Sequence, residues 1–267
     1  MTLTVSQLHI HPVKSLGAIA LGKAELTPRG LRFDRRFMVV DRAGDFLTQR
    51  EHPRMATVWT EIGEGKLRLA APDAGEVALS AEPYEGETIL VRVWNSRCRA
   101  IAPSPEADRW LSQALGMDCR LVYMPEETRR EVSPEYAGAG RIVSFADGYP
   151  VLVTTEASLA ELNSRLERPI PMNRFRPNVV VAGGEPWAED GWRTIAVGSV
   201  RLGLAKPCGR CQVTTTDQAT GEVTGPEPLA TLATYRESAE FGVRFGVNAL
   251  PEALGTLSVG DAVTVLD

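Results

Sequence analysis

Short runs with the apolar and polar patterning of strands fill the first hundred positions of the chain. Thr4 to His11, Gly22 to Leu26, Phe37 to Asp41, Asp45 to Gln49, Lys66 to Ala70, Glu76 to Ser80 and Thr88 to Trp94 each read as a strand. Turn residues punctuate them. Asp41-Arg-Ala-Gly44 and Pro72-Asp-Ala-Gly75 are loops of hairpin length with glycine where a positive φ is needed. The expected product is a meandering antiparallel sheet or barrel. From Ala107 to Leu115 the period becomes helical, with Trp110, Leu111, Ala114 and Leu115 on one stripe. This helix marks the junction between two expected domains, 1–118 and 119–267.

The second part opens with Pro125 to Gly140, rich in charge, Pro and Gly, which reads as a mobile connection. Val151 to Thr154 is strand-like, and Thr155 or its neighbour then caps a helix carrying Leu159, Leu162 and Leu166. Pro177 to Ala182, Thr194 to Val197 and Val200 to Leu204 resume the strand pattern, with Gly198-Ser199 as a two-residue hairpin turn. Pro228 to Arg236 reads as another helix, and the final LSVGDAVTVL alternates as a closing strand should. The fold expected is mainly β with a few helices (α+β), one barrel-like domain followed by another.

A chain of 267 residues with 43% hydrophobic content is that of a folded globular protein. No apolar run reaches the about 18 residues of a membrane span, and MTLTVSQLHIHPVKS lacks a basic start before an unbroken apolar core. Neither membrane attachment nor export is expected. Cys98 and Cys119 stand isolated, and so few thiols in so long a chain favour a reducing compartment, the cytoplasm. A net charge of -5 with a pI near 5.4 gives no general attraction to phosphate polymers. A nucleic-acid partner is therefore not expected, while a local basic pocket is compatible with this balance.

The densest candidate chemistry is KPCGRCQVTTTDQATG, residues 206–221. A Cys-x-x-Cys pair suits a soft metal or dithiol redox chemistry. A structural zinc site takes four ligands, and the chain adds only Cys98, Cys119, His9, His11 and His52, scattered. A thioredoxin-like dithiol opens a helix, whereas Gln212-Val-Thr-Thr-Thr216 is a strand former. Two half-buried cysteines without a task are the third reading, and spacing leaves all three open. Lys14-Ser15, Asp34-Arg35-Arg36 and Arg174-Phe-Arg-Pro-Asn178 each place cations beside loop backbone. Singly they read as surface charge; assembled, they offer what a phosphate-bearing ligand requires. His11 before Pro12 and His52 before Pro53 read as turn or surface residues and receive no role.

Seven segments in order carry a resemblance over nearly the whole chain: HPVKS at 11–15, GLRFDRRFMVVD at 30–41, TQREHPR at 48–54, DGYPVLVTTEASLAELNSRL at 147–166, FRPNVVV at 175–181, PCGRCQVTTTDQATG at 207–221 and FGVN at 245–248. They resemble MOSC-domain proteins with the associated N-terminal β-barrel, the group of the mitochondrial amidoxime-reducing components and their bacterial relatives. That resemblance implies a molybdenum cofactor (Mo-molybdopterin) bound between the two domains. It implies Cys211 as the single thiolate ligand and catalytic centre, with no task for Cys208. Lys14, Ser15, Arg35, Asp147, Arg176, Asn178, Gly209 and Arg210 are implied as contacts of the pterin and its phosphate. The implied reaction is reduction of small N-hydroxylated compounds such as amidoximes, hydroxylamines and N-hydroxylated base analogues. Electrons are expected from a separate protein of ferredoxin or flavoprotein type. Asn248 in FGVN follows the bacterial branch, where mitochondrial relatives have an aromatic after FGQ. Two other readings stay beside this one: a sulfur carrier with a persulfide on Cys211, and a cofactor-binding or delivery protein without turnover.

Overall fold

The computed structural model describes residues 2–81 and 83–266. The first part supplies β1 (Leu3–Ile10), β2 (Ile19–Leu21), β3 (Lys23–Thr27), β4 (Gly30–Leu31), β5 (Phe37–Val40), β6 (Trp59–Gly63), β7 (Lys66–Ala71) and β8 (Gly75–Ser80). β9 (Ile89–Val93), β10 (Ser96–Ala100), α1 (Pro105–Leu115) and β11 (Arg120–Tyr123) follow. The second part supplies α2 (Pro134–Ala137), β12 (Val151–Thr155), α3 (Glu156–Asn163), β13 (Val179–Ala182), β14 (Thr194–Val197) and β15 (Val200–Gly209). It ends with α4 (Leu229–Arg236), β16 (Glu237–Ser238), β17 (Gly242–Ala253), β18 (Gly255–Ser258) and β19 (Ala262–Val265). The expected class, mainly β with a few helices, is the one observed.

Seven strands close on themselves in the order β12, β13, β1, β19, β14, β15, β17 and back to β12. β12 and β13 pair in parallel with Val153 opposite Val179, and Val151 opposite Ala249 closes the ring between β12 and β17. Closure removes exposed strand edges, and a ring this small is filled by side chains. Val5, Val153, Val181, Ile195, Leu202 and Val263 share one buried cluster of the barrel. β1 stands between β13 and β19, so a strand from the start of the chain completes a barrel built mostly from its second half.

Smaller sheets surround the barrel: the β6-β7-β8 meander, the β9–β10 and β5–β11 pairs, and β18-β3-β4. α1 lays Ala107, Trp110, Leu111 and Ala114 onto Phe37, Leu67, Leu79 and Leu121. It begins two residues earlier than the expected Ala107 because Ser104 accepts from the Ala107 amide with Pro105 at the first helical position. It stops where Gly116 takes the left-handed conformation, at φ 71.

Several expectations need correction. Asp45 to Gln49 is not a strand: Phe46 and Asp45 make isolated bridges to Val40 and Arg92. Beyond them Thr48 accepts the Arg50 amide on its hydroxyl and the Glu51 and His52 amides on its carbonyl, which turns the chain. Pro125 to Gly140 is anchored, with Thr128, Arg130 and Val132 all buried. Leu166 lies past the end of α3, though it still packs beside Leu162. No described helix is long and apolar enough to cross a membrane.

Candidate functional site

Five turns meet at one open cleft between the barrel and the smaller sheets. They are the segment after β1, the turn before β5, the Asp147-Gly-Tyr149 approach to β12, the approach to β13, and the far end of β15. All nine residues that the resemblance implicates line it: Lys14, Ser15, Arg35, Asp147, Arg176, Asn178, Gly209, Arg210 and Cys211. Six cationic side chains, Lys14, Arg35, Arg50, Arg174, Arg176 and Arg210, face a single lining carboxylate, that of Asp147. In a chain of net charge -5 this is a strong local reversal of sign.

Hydrogen bonds fix most of these groups. Lys14, 6% exposed, pairs with Asp147, which also accepts Trp94 Nε1 at 3.0 Å. Arg130 holds the Asp147 segment from behind, donating to the carbonyls of Ser144, Ala146 and Asp147. Arg35 Nη1 donates to both oxygens of buried Asp34 at 2.9 and 2.7 Å and to Asn178 Oδ1 at 3.3 Å. Asn178 in turn donates to the His9 carbonyl and accepts the Leu152 amide, fastening β1 to β12 beside the cleft. Arg176 donates to the Leu16 carbonyl at 2.7 Å and to Gln218 Oε1 at 3.1 Å.

Charge crowding shows in the ionisation of these groups. Burial and the neighbouring Arg35 push the Arg176 guanidinium down to about 9. Lys14 is also lowered, by burial first, with Asp147 opposing and Arg130 and Arg35 adding to the fall. Desolvation lifts Asp147, but the Lys14 charge and the bonds from Lys14 and Trp94 outweigh it and hold the carboxyl below its ordinary range.

The cysteine pair sits at a change of backbone. A β-bulge between Pro207 and Gly209 bends the end of β15 as it pairs with β17. Cys211, exposed, then caps a 3-10 turn over Gln212–Thr215. The run expected to be a strand is this turn because Thr214 and Thr215 direct their hydroxyls to the carbonyls of Cys211 and Gln212, at 3.0 and 2.7 Å. Arg210 donates to the Phe245 carbonyl at 2.8 and 2.6 Å and to the Phe175 carbonyl at 2.9 Å. These bonds brace the loop and use three of the guanidinium's five N–H groups. Cys208 is half-buried, and burial pushes its thiol up.

Known proteins align with this architecture. The MOSC N-terminal beta barrel domain family matches residues 2–118, and the MOSC domain family matches residues 140–264. Mitochondrial amidoxime-reducing component 1 of Mus musculus is 36% identical over 98% of this chain and 82% of its own length. The Homo sapiens protein of that name is 33% identical over 98% of this chain and 83% of its own. The chain belongs to the amidoxime-reducing component family of MOSC proteins. This is a molybdenum-cofactor-related reductase family.

In this MOSC protein the structure adds cleft residues that the sequence leaves without a role. TQREHPR carries part of the resemblance, yet Thr48 and Arg50 from it prove to line the cleft together with Phe46. Trp94 reaches in from the β9–β10 hairpin turn. Arg174 is buried with Nη1 on the Thr215 carbonyl and Nη2 on Asp217, while its Nε has no partner among the described residues. His11 is no surface residue: it is 1% exposed, its Nδ1 3.6 Å from Asp34 Oδ1.

Proposed function

We propose that this chain is a molybdenum-cofactor-dependent reductase of small N-hydroxylated compounds, supplied with electrons by a separate ferredoxin- or flavoprotein-type protein. One observation carries this reading: an exposed thiol, Cys211, opens onto a cleft where six cations face one lining carboxylate. The donor set fits the cofactor. Among the described residues no group of three or more His, Cys, Asp or Glu is placed to hold a metal ion. A metal on the Cys211 thiolate, a soft ligand, would therefore take its other ligands from a bound cofactor. Arg35 and Arg176 repel one another, and an anionic phosphate beside them relieves that repulsion. Ser15, Asn178 and Gly209 shape the wall around it.

When bound, the cofactor supplies two-electron reduction of the N–O bond. The reaction breaks N–O, takes up two electrons and two protons, and releases an amine or amidine and water. Lys14 Nζ holds a proton against Asp147 Oδ1, and burial lowers its hold on that proton, which suits it to act as an N–H donor in the cleft. Trp94 and Arg130 hold Asp147 in place, so the proton is presented from a fixed position.

The test is metal analysis of the purified protein and its Cys211→Ala variant, with turnover of benzamidoxime by a reduced viologen dye. Stoichiometric molybdenum in the wild type, lost from a variant whose near-UV circular dichroism is unchanged, is the expected result. Retained molybdenum in that variant removes Cys211 as ligand. A labile sulfur adduct on Cys211 without pterin would replace this reading with sulfur transfer. Molybdenum without reduction of any N-hydroxylated compound would remove the substrate class and leave the cofactor.

A further inference from the structure

Of the six cations lining the cleft, five donate to an oxygen of the protein. Arg50 differs: among the described residues no carboxylate, amide or carbonyl oxygen accepts from its guanidinium. Its charge lies instead over aromatic faces, 4.3 Å from the Trp94 ring centroid and 5.9 Å from that of Phe46. Trp94 is itself out of the ordinary. It is a large apolar side chain 42% exposed, at φ 54 in a two-residue hairpin turn where Asn or Gly is the usual occupant. Its Nε1 bond to Asp147 Oδ1 turns the indole toward the cleft. The Arg50 carbonyl accepts Gln212 Nε2 at 2.9 Å, which ties this corner to the residue next to Cys211. A planar cation thus lines the same cleft as the thiol with its N–H groups unclaimed, held over two aromatic rings.

We propose that Arg50, backed by the Trp94 ring, binds an anionic group on the substrate, so that the cleft selects planar N-hydroxylated compounds bearing a carboxylate or phosphate over neutral ones. The proposal rests on the N-hydroxy reductase reading of the same cleft. A guanidinium takes either anion through paired N–H···O bonds, and indole beside it offers an apolar surface for a planar body. Loss of such a contact weakens binding by roughly tenfold or more. The phosphate of a bound cofactor is the other source of the same chemistry.

The experiment compares 4-carboxybenzamidoxime with benzamidoxime as substrates of the purified holoprotein, Arg50→Gln and Arg50→Lys. Binding of the products, 4-carboxybenzamidine and benzamidine, is measured alongside by calorimetry, with molybdenum and pterin content. In the wild type the carboxylated substrate is expected to be preferred about tenfold in kcat/KM, through KM. Arg50→Gln should abolish that preference and Arg50→Lys keep part of it. Equal handling of both substrates by the wild type, or a preference that survives Arg50→Gln, overturns the proposal. So does loss of molybdenum and pterin from Arg50→Gln, which assigns the guanidinium to the cofactor. If the wild type reduces neither compound, the reductase reading fails. The product-binding comparison then still decides Arg50: tighter carboxylate binding that needs Arg50 supports it, and equal binding overturns it.

Discussion

His11 shows how a single buried residue couples the stability of the fold to pH. Burial first, then the charges of Arg35, Arg176 and His9, hold its pKa well below the ordinary 6.5. The unfolded chain takes up a proton at this residue near 6.5, and the folded protein only at lower pH. Its contribution to stability is thus fully present above 6.5 and is lost as pH falls below that value toward the folded pKa. One such proton makes stability fall by up to about 1.4 kcal/mol per pH unit. Urea unfolding at pH 7.5 and 5.5 should show this loss in the wild type and a smaller one in His11→Asn. Identical pH slopes in the two proteins would remove His11 as the cause. The Pro after His11 suggested a turn, and that much is true. Burial came from a partner, Asp34, that lies 23 residues away and that local sequence does not reveal.

At the scale of elements, the end of β15 leaves its glycine no room for a side chain. A Cβ built on Gly209 would stand 2.4 Å from the Phe241 carbonyl oxygen, a backbone atom that cannot swing aside. Gly209→Ala is therefore expected to lower unfolding stability by about 1–3 kcal/mol in urea titration, with weaker molybdenum retention because Cys211 lies two residues on. A variant as stable as the wild type would show that the β16–β17 turn yields freely. The elements with a clean period were legible: β7 and β8 with their Pro72–Gly75 turn, α1 with its stripe, and the Gly198-Ser199 hairpin. β17 was not, because Gly246 and Pro251 read against a strand and only bulged pairing with β15 accommodates them. The 3-10 turn after Cys211 was hidden for a different reason. β-branched threonines favour strands by default, and here their hydroxyls bond the backbone locally. The cleft residues were legible from motif order. Which of its cations are already engaged, and that Arg50 is not, depends on partners drawn from distant segments.

For the whole molecule, the position of β1 determines what can be separated. A cut at 118/119 follows the sequence divide, but residues 119–267 alone would lack the strand between β13 and β19. They would expose two unpaired edges and open the barrel core. That fragment should be insoluble or show no near-UV circular dichroism, and intact protein should unfold in one transition. A soluble fragment with native-like near-UV signal would show that the ring closes without β1. The fastening is reinforced at the cleft, where Asn178 joins the β1 carbonyl of His9 to the β12 amide of Leu152. Folding of the barrel and assembly of the cleft are in this sense one event.

Ser15, Arg35, Trp94 and Arg176 are four of eight non-glycine residues held at positive φ among the described residues, and all four meet in or beside the cleft. Left-handed backbone at such residues costs on the order of 1–3 kcal/mol each. Breeding this protein for heat resistance alone would therefore favour glycine at Ser15 and Trp94, and not at Arg35, whose loss would strand the buried Asp34 carboxylate. The survivors of such a selection would be sturdier, and they would have discarded the hydroxyl and the indole that help give the cleft its shape.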